Sequence, residues 1–367
     1  MKRYTPRIII KYLLKEFSLS LLIFFSIFFS LITLSTYLEE IIFFRDKALS
    51  GSFFIQTFML SLNKLPSILI NMSPFIFLFS GIFFFAKLIK NKEIAPLSIS
   101  GFSNNYITFV PAAFSFFVGC FIILIVTPFS SQLLKQYEIK KQKFSSNENL
   151  IIFNNTGLWM KEKKENFKYI IKSDNIIDQN FNELKNIIIY KFDENNNFIE
   201  RIDSKKAFIK NNYWDIKKAF VTNNKLEKKN KSNKFYTNIS LKKLKQFFIN
   251  SSTFSIWNIN TELKNIRERG YYGQELVITL NKYLSLPFML FSMIVISTFF
   301  TLRLGYNFNN LVYAFFGVLI GILIYFLSDL SIAIGKSGTV PLILSIWIPV
   351  IFIVMLSMFI LLEEKDE

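Results

Sequence analysis

The sequence contains no histidine and a single cysteine, Cys120, in 367 residues. Without an imidazole there is neither histidine-based acid–base catalysis nor histidine ligation of a metal. One cysteine excludes an intramolecular disulfide and any zinc-type thiolate cluster. Glycine, proline and alanine are scarce while Lys, Asn, Ile and Phe are abundant, a bias that resembles drift in an AT-rich genome. The most informative absence is that of charge. Six long runs carry no Asp, Glu, Lys or Arg: Phe17–Leu38, Leu65–Ala86, Ile94–Leu134, Tyr283–Leu302, Leu304–Ser328 and Ser337–Leu362. Each reaches the length of about 20 residues that a helix needs to cross the hydrocarbon core. An ionised residue at the centre of such a helix costs roughly 2.5–3.5 kcal/mol, so its absence from all six runs points to membrane spans. A water-soluble chain would instead have to bury six helices that are apolar on every side. The hydrophobic fraction of 51% and the positive mean hydropathy agree with a membrane protein.

The polar stretch from about Lys135 to Glu275 divides these runs into three and three. The chain therefore reads as residues 1–134 with spans one to three, 135–275 as an inserted soluble domain, and 276–367 with spans four to six. Met1–Glu16 carries Lys2, Arg3, Arg7, Lys11 and Lys15 beside Ile8, Ile9, Tyr12 and Leu13. That pattern fits a basic amphipathic helix on the inner membrane face or a plain positively charged anchor, and both place the start of the chain in the cytoplasm. Met1–Ser35 does not read as a cleavable signal peptide: its apolar run is too long and no small-residue cleavage site follows. Lys87, Lys90, Lys92, Arg303 and Lys365 fall on the same side in this topology. The outer short loops hold only Arg45, Lys47, Lys64 and Lys336. Six spans then return the end of the chain to the cytoplasm, with the middle domain outside.

The net charge of +17 is spread among Asn and Glu without any nucleic-acid-binding signature, so nucleic acid is not an expected partner. Pro66 and Pro74 predict a bend in span two. In the middle domain, Gly157–Met160, Asn166–Ile171, Asn186–Phe192, Phe198–Ile209 and Tyr213–Val221 are short, rich in Ile, Phe, Tyr and Trp, and separated by turn formers. They predict an antiparallel sandwich or open jelly roll, and Asn258–Gly270 predicts a helix leading back to span four. The carboxylates of this domain fall mostly in turns, which argues against a lipid-modifying enzyme built on a converging Asp/Glu pair. No charge sits mid-span, which argues against a secondary transporter.

The loop between spans two and three reads Lys87-Leu-Ile-Lys-Asn-Lys-Glu93-Ile94-Ala-Pro96-Leu97-Ser-Ile-Ser-Gly101. It resembles the coupling-helix motif of the LptF/LptG (YjgP/YjgQ) permease family, in which Ser/Asn-x-Glu-Leu/Ile precedes a small-residue–Gly pair. Gly157-Leu-Trp-Met-Lys161, Phe167-Lys-Tyr-Ile170 and Ile188-Ile-Tyr-Lys-Phe-Asp193 are similar to strands of the LptG branch, with the LptF branch as the alternative. The resemblance extends over essentially the whole chain, six spans with a periplasmic β-jellyroll after the third. It implies a non-catalytic membrane subunit, without cofactor, of the ABC transporter that extracts lipopolysaccharide from the bacterial inner membrane. No Gly-x-x-x-x-Gly-Lys-Ser/Thr loop is present, so ATP hydrolysis would fall to a separate protein. The implied partners are an LptF-like sister subunit, an LptB-like ATPase dimer and an LptC-like bitopic protein.

The resemblance further implies a coupling helix over about residues 91–101 with Glu93, Ile94, Leu97 and Gly101 at the ATPase joint. Glu93 would pair with a cation of the ATPase; its plain reading is a solvated charge beside Lys92. Gly101 would end the helix, and Pro96 is tolerable only in its first turn. Lys135 matches a basic position facing lipid A phosphates, whereas a second such position is Glu138 here. Thr36, Ile42 and Phe43 replace basic residues of the family at the outer end of span one, where Arg45 and Lys47 are the nearest substitutes. Tyr325 matches an aromatic residue of the lipid cavity. Generic interfacial charge and ordinary packing remain open for these positions, and Asp329 is expected in the wet interface.

Overall fold

The computed structural model describes residues 7–45, 53–145, 149–154, 157–164, 167–176, 183–193, 197–210, 213–223, 228–237, 251–268, 273–303 and 310–363. Contacts divide the chain into a helical unit (Met1–Tyr137, Ser252–Trp257 and Val277–Glu367) and a β unit (Glu138–Ser251 and Asn258–Leu276).

The elements begin with α1 (Arg7–Phe44), α2 (Phe53–Lys90), the short α3 (Ile94–Ile99) and α4 (Asn104–Phe121). α4 passes through a π-helical turn (Ile122–Val126) into α5 (Thr127–Ser145). After the strands come α6 (Ile256–Glu268), α7 (Gln274–Arg303), α8 (Asn310–Lys336) and α9 (Leu342–Glu363). Among the described residues six stretches are long and apolar enough to cross a membrane: Arg7–Phe44, Phe53–Lys90, Asn104–Lys141, Gln274–Thr301, Gly317–Lys336 and Leu342–Phe359. From Arg7 onwards the basic start forms the first turns of α1 and runs directly into the first span. α1 and α2 have 38 residues each. At 1.5 Å per residue they are about 57 Å long and outreach a ~30 Å hydrocarbon core. α2 remains helical through both Pro66 and Pro74.

Apolar attraction does not draw helices together in lipid, so close packing needs small residues at the crossings. Gly81 of α2 lies where an added Cβ would stand 2.2 Å from Ser297 Oγ of α7. Gly119 of α4 would place one 2.7 Å from the Cα of Pro287. Span hydroxyls donate back to their own helices, as Ser80 does to the Ile76 carbonyl (2.6 Å) and Thr301 to the Ser297 carbonyl (2.8 Å). They are thereby satisfied without water. The π turn has a local cause. Pro128 lacks the N–H that would bond the Leu124 carbonyl four residues back. The Trp257 indole N–H supplies a donor to that carbonyl instead, at 3.4 Å.

The β unit holds β1 (Asn149–Asn154), β2 (Gly157–Lys164), β3 (Phe167–Ile176), β4 (Glu183–Asp193), β5 (Phe198–Ile209), β6 (Tyr213–Asn223) and β7 (Lys228–Tyr236). They form one antiparallel sheet in consecutive order. In a flat sheet β3 and β7 would lie about 19 Å apart, four steps of ~4.8 Å. Yet the rings of Tyr169 and Phe235 are 5.3 Å apart. The Thr237 hydroxyl also donates to Glu162 of β2 at 2.6 Å. The sheet is therefore rolled on itself, the open form of the jelly-roll-like β domain expected. Met160, Ile171, Ile189, Ile202, Trp214 and Ile216 fill the roll, with Trp214 fully buried. A crease crosses three strands where alternation slips: at Asn186, which has φ 47, at Lys205–Lys206, and at the β6–β7 bulge between Ile216 and Ala219. Two hydroxyls serve the carbonyls there: Ser173 donates to Lys185 (2.8 Å) and Ser204 to Lys217 (2.6 Å).

Candidate functional site

Two left-handed closures bracket α3. At the first, Lys92 has φ 57, and the N–H groups of Lys92 and Glu93 bond the carbonyls of Ile89 (2.9 Å) and Leu88 (2.9 Å). At the second, Gly101 has φ 88, and the N–H groups of Gly101 and Phe102 bond those of Ser98 (2.9 Å) and Leu97 (3.1 Å). Both are Schellman closures, the second with the glycine such a φ favours and the first with a lysine. α3 is thus six residues long, with Pro96 in its first turn, where its missing N–H costs nothing. Ser103 then caps α4, accepting from the Tyr106 N–H at 3.3 Å.

Within α3, Ile94 is buried and Leu97 half-buried, which turns both towards the helical unit. Ala95, Pro96, Ser98 and Ile99 form the exposed side, and Ile99 is 88% exposed. Glu93 is half-buried and accepts two hydrogen bonds. The Tyr12 hydroxyl of α1 donates to its Oε2 at 2.6 Å, and the Asn91 amide donates to its Oε1 at 2.9 Å. One turn along α1, Glu16 pairs with Lys87 of α2 at 2.6 Å. Sequence reasoning missed Tyr12 because 81 residues separate it from Glu93.

The opposite end of α1 is clasped in the same manner. Glu39 pairs with Lys64 of α2 at 2.6 Å. Glu40 is fully buried and accepts a hydrogen bond from the buried Tyr137 hydroxyl of α5. Arg45 follows five residues beyond Glu40, and Lys135 comes two before Tyr137; both side chains are exposed. The Glu40–Tyr137 bond therefore keeps these two cations within a few helical turns of a shared contact. Lys47 lies outside the described residues. The signal for the clasp was the adjacent pair Glu39-Glu40 at the edge of a charge-free run.

Tyr325 lies on the side of α8 that packs on α2. Its ring is 5.9 Å from that of Phe75, which also abuts Gly321 one turn earlier. Asp329 follows one turn on, and the ring remains about half exposed. The outward sides of α1, α8 and α9 are otherwise apolar, with Leu22, Leu31, Phe326 and Phe352 among the exposed side chains. Among the described residues no group of three or more Cys, Asp or Glu side chains is arranged to hold a metal.

Comparison with family models matches residues 11–363 to the lipopolysaccharide export system permease LptF/LptG. The chain belongs to the LptF/LptG permease family. No curated protein matches it. Membership of a family of transporter permeases accounts together for the six apolar helices and the inserted antiparallel sheet. It also places the chain in the membrane as part of a lipopolysaccharide export system.

Proposed function

We propose that this permease is the LptG-type subunit of the transporter that lifts lipopolysaccharide out of the inner membrane, driven by a separate ATPase. The family match over residues 11–363 carries the reading. The α3 turn supports it, because a short helix with two fixed closures and an exposed Pro96–Ile99 edge is suited to dock in a groove of another protein. In this account α3 lies in the cytoplasm against one copy of an LptB-like ATPase dimer, with Ile94 and Leu97 anchoring it and Gly101 closing it. The β unit lies in the periplasm, where an LptC-like protein continues the path. An LptF-like sister faces this chain across a cavity lined by the apolar sides of α1 and α8. Arg45, Lys47 and Lys135 receive the phosphates of the glycolipid at the outer end, and Tyr325 borders the acyl chains. The apolar face of the rolled sheet from Met160 to Phe235 then shelters those chains.

Co-purification in detergent tests the assignment, with wild type compared to Glu93→Ala and Glu93→Lys. An LptB-like ATPase and an LptF-like subunit should accompany wild type, and the lysine variant should lose the ATPase. A wild-type chain that purifies alone and still moves a solute would overturn the reading. Recovery of an LptG-like sister would assign the chain to the LptF branch instead.

A further inference from the structure

The joint between α1 and the α3 turn is more elaborate than docking alone requires. Tyr12 and Glu16 stand one turn apart on α1 and bond Glu93 and Lys87 respectively, both at 2.6 Å. Beneath them Leu13 and Phe17 are fully buried, beside the equally buried Phe84 and Leu88 of α2. This end of α1 is thus fixed by packing and by two polar contacts, in the span that is otherwise the least buried of the six. A glutamate side chain left to itself spreads over many rotamers, and ordering it on docking costs free energy. Here Tyr12 and Asn91 hold one carboxylate oxygen each. A carboxylate has about four acceptor sites, so two remain for an incoming cation.

We propose that Tyr12 is a positioning residue of the coupling joint: its phenol presets the Glu93 carboxylate for a cation of the ATPase and makes that carboxylate follow α1. The inference rests on the coupling role proposed for Glu93 above. Movement of α3 under the ATPase is thereby passed directly to the span that borders the lipid path, without passing through the length of α2. Glu16–Lys87 keeps the two helices in register while the Tyr12–Glu93 bond bears the load.

The test is a cycle of Tyr12→Phe, Glu93→Gln and the double variant. Each is assembled with the sister subunit and the ATPase in vesicles containing lipopolysaccharide. ATPase docking affinity, ATP hydrolysis and lipid release are measured together with the thermal midpoint of each complex. Tyr12→Phe keeps the ring, which is 38% exposed, so its midpoint should match wild type. Docking should weaken about fivefold, as expected for one part-exposed hydrogen bond to a charged group. Lipid released per ATP should fall with it, and the double variant should be no worse than Glu93→Gln alone. Wild-type docking and release in Tyr12→Phe, or losses that multiply in the double variant, would overturn the proposal while leaving the transporter assignment intact. Failure of the wild-type chain to bind any ATPase would overturn both, and that result is visible before any variant is made.

Discussion

α1 and α7 are both long, both apolar and both able to span a bilayer, yet 67% of the apolar stretch of α7 is buried within the chain and only 11% of that of α1. The difference lies in small and hydroxyl-bearing side chains. α7 buries Ser285, Ser292, Ser297, Thr298 and Thr301, and at Gly81 and Gly119 its neighbours have no Cβ to hold it away. α1 instead turns Leu22, Leu31 and Leu34 outwards on one side, packs on α2 along the other through Phe24 and Phe28 against Phe79, and makes polar contacts at both ends. A helix fixed through close crossings is a scaffold. One packed on a single side leaves its other side to the membrane, as the proposed lipid path requires.

Substitutions along these two helices can break that comparison. The largest effect is expected at the α2–α7 crossing: Gly81→Leu should destabilise the protein by about 3 kcal/mol, since Ser297 cannot retreat from a bulky neighbour. Thermal unfolding in detergent, read by size-exclusion chromatography, checks this. Next comes Tyr137→Phe, which removes the phenol that donates to the buried Glu40. A cost of about 1–2 kcal/mol is expected, with release of the Glu40 end of α1 visible as faster cross-linking between cysteines placed there. Smaller and opposite in sign, Lys92→Gly should raise stability by about 0.5–1 kcal/mol, because a lysine holds a left-handed conformation that glycine adopts freely. Leu31→Ala, on the outward side of α1, should leave the unfolding midpoint within experimental error while reducing lipid release.

Much of this architecture was legible in the sequence, since the runs without charge carry their own length signal and each overlaps a described helix long and apolar enough to cross a membrane. Ile94–Leu134 also takes in α3 and its closing turn. Phe198–Ile209 was read as a strand with the bounds that β5 has. β1 and β7 were not recognised. Lys228–Tyr236 has the composition of a linker, and its strand state depends on pairing with β6 rather than on its own alternation. Burial among the spans was likewise unreadable, because hydropathy reports the preference for lipid over water and is silent on which apolar side meets protein. At the coupling turn the left-handed closure at Gly101 followed from its glycine, whereas that at Lys92 had no such marker. The partners of Glu93 and Glu40 lie 81 and 97 residues away, and only the folded chain brings them together.

The central claim is that the outward sides of α1 and α8 border the substrate while α7 is scaffold. A photo-reactive amino acid placed at Leu31, at Phe326 and at the buried Ile294 of α7 tests it, in cells engaged in lipopolysaccharide export. The account predicts lipopolysaccharide adducts at Leu31 and Phe326 that change when ATP hydrolysis is blocked, and none at Ile294. Equal labelling at all three positions, or none at the first two, would contradict it.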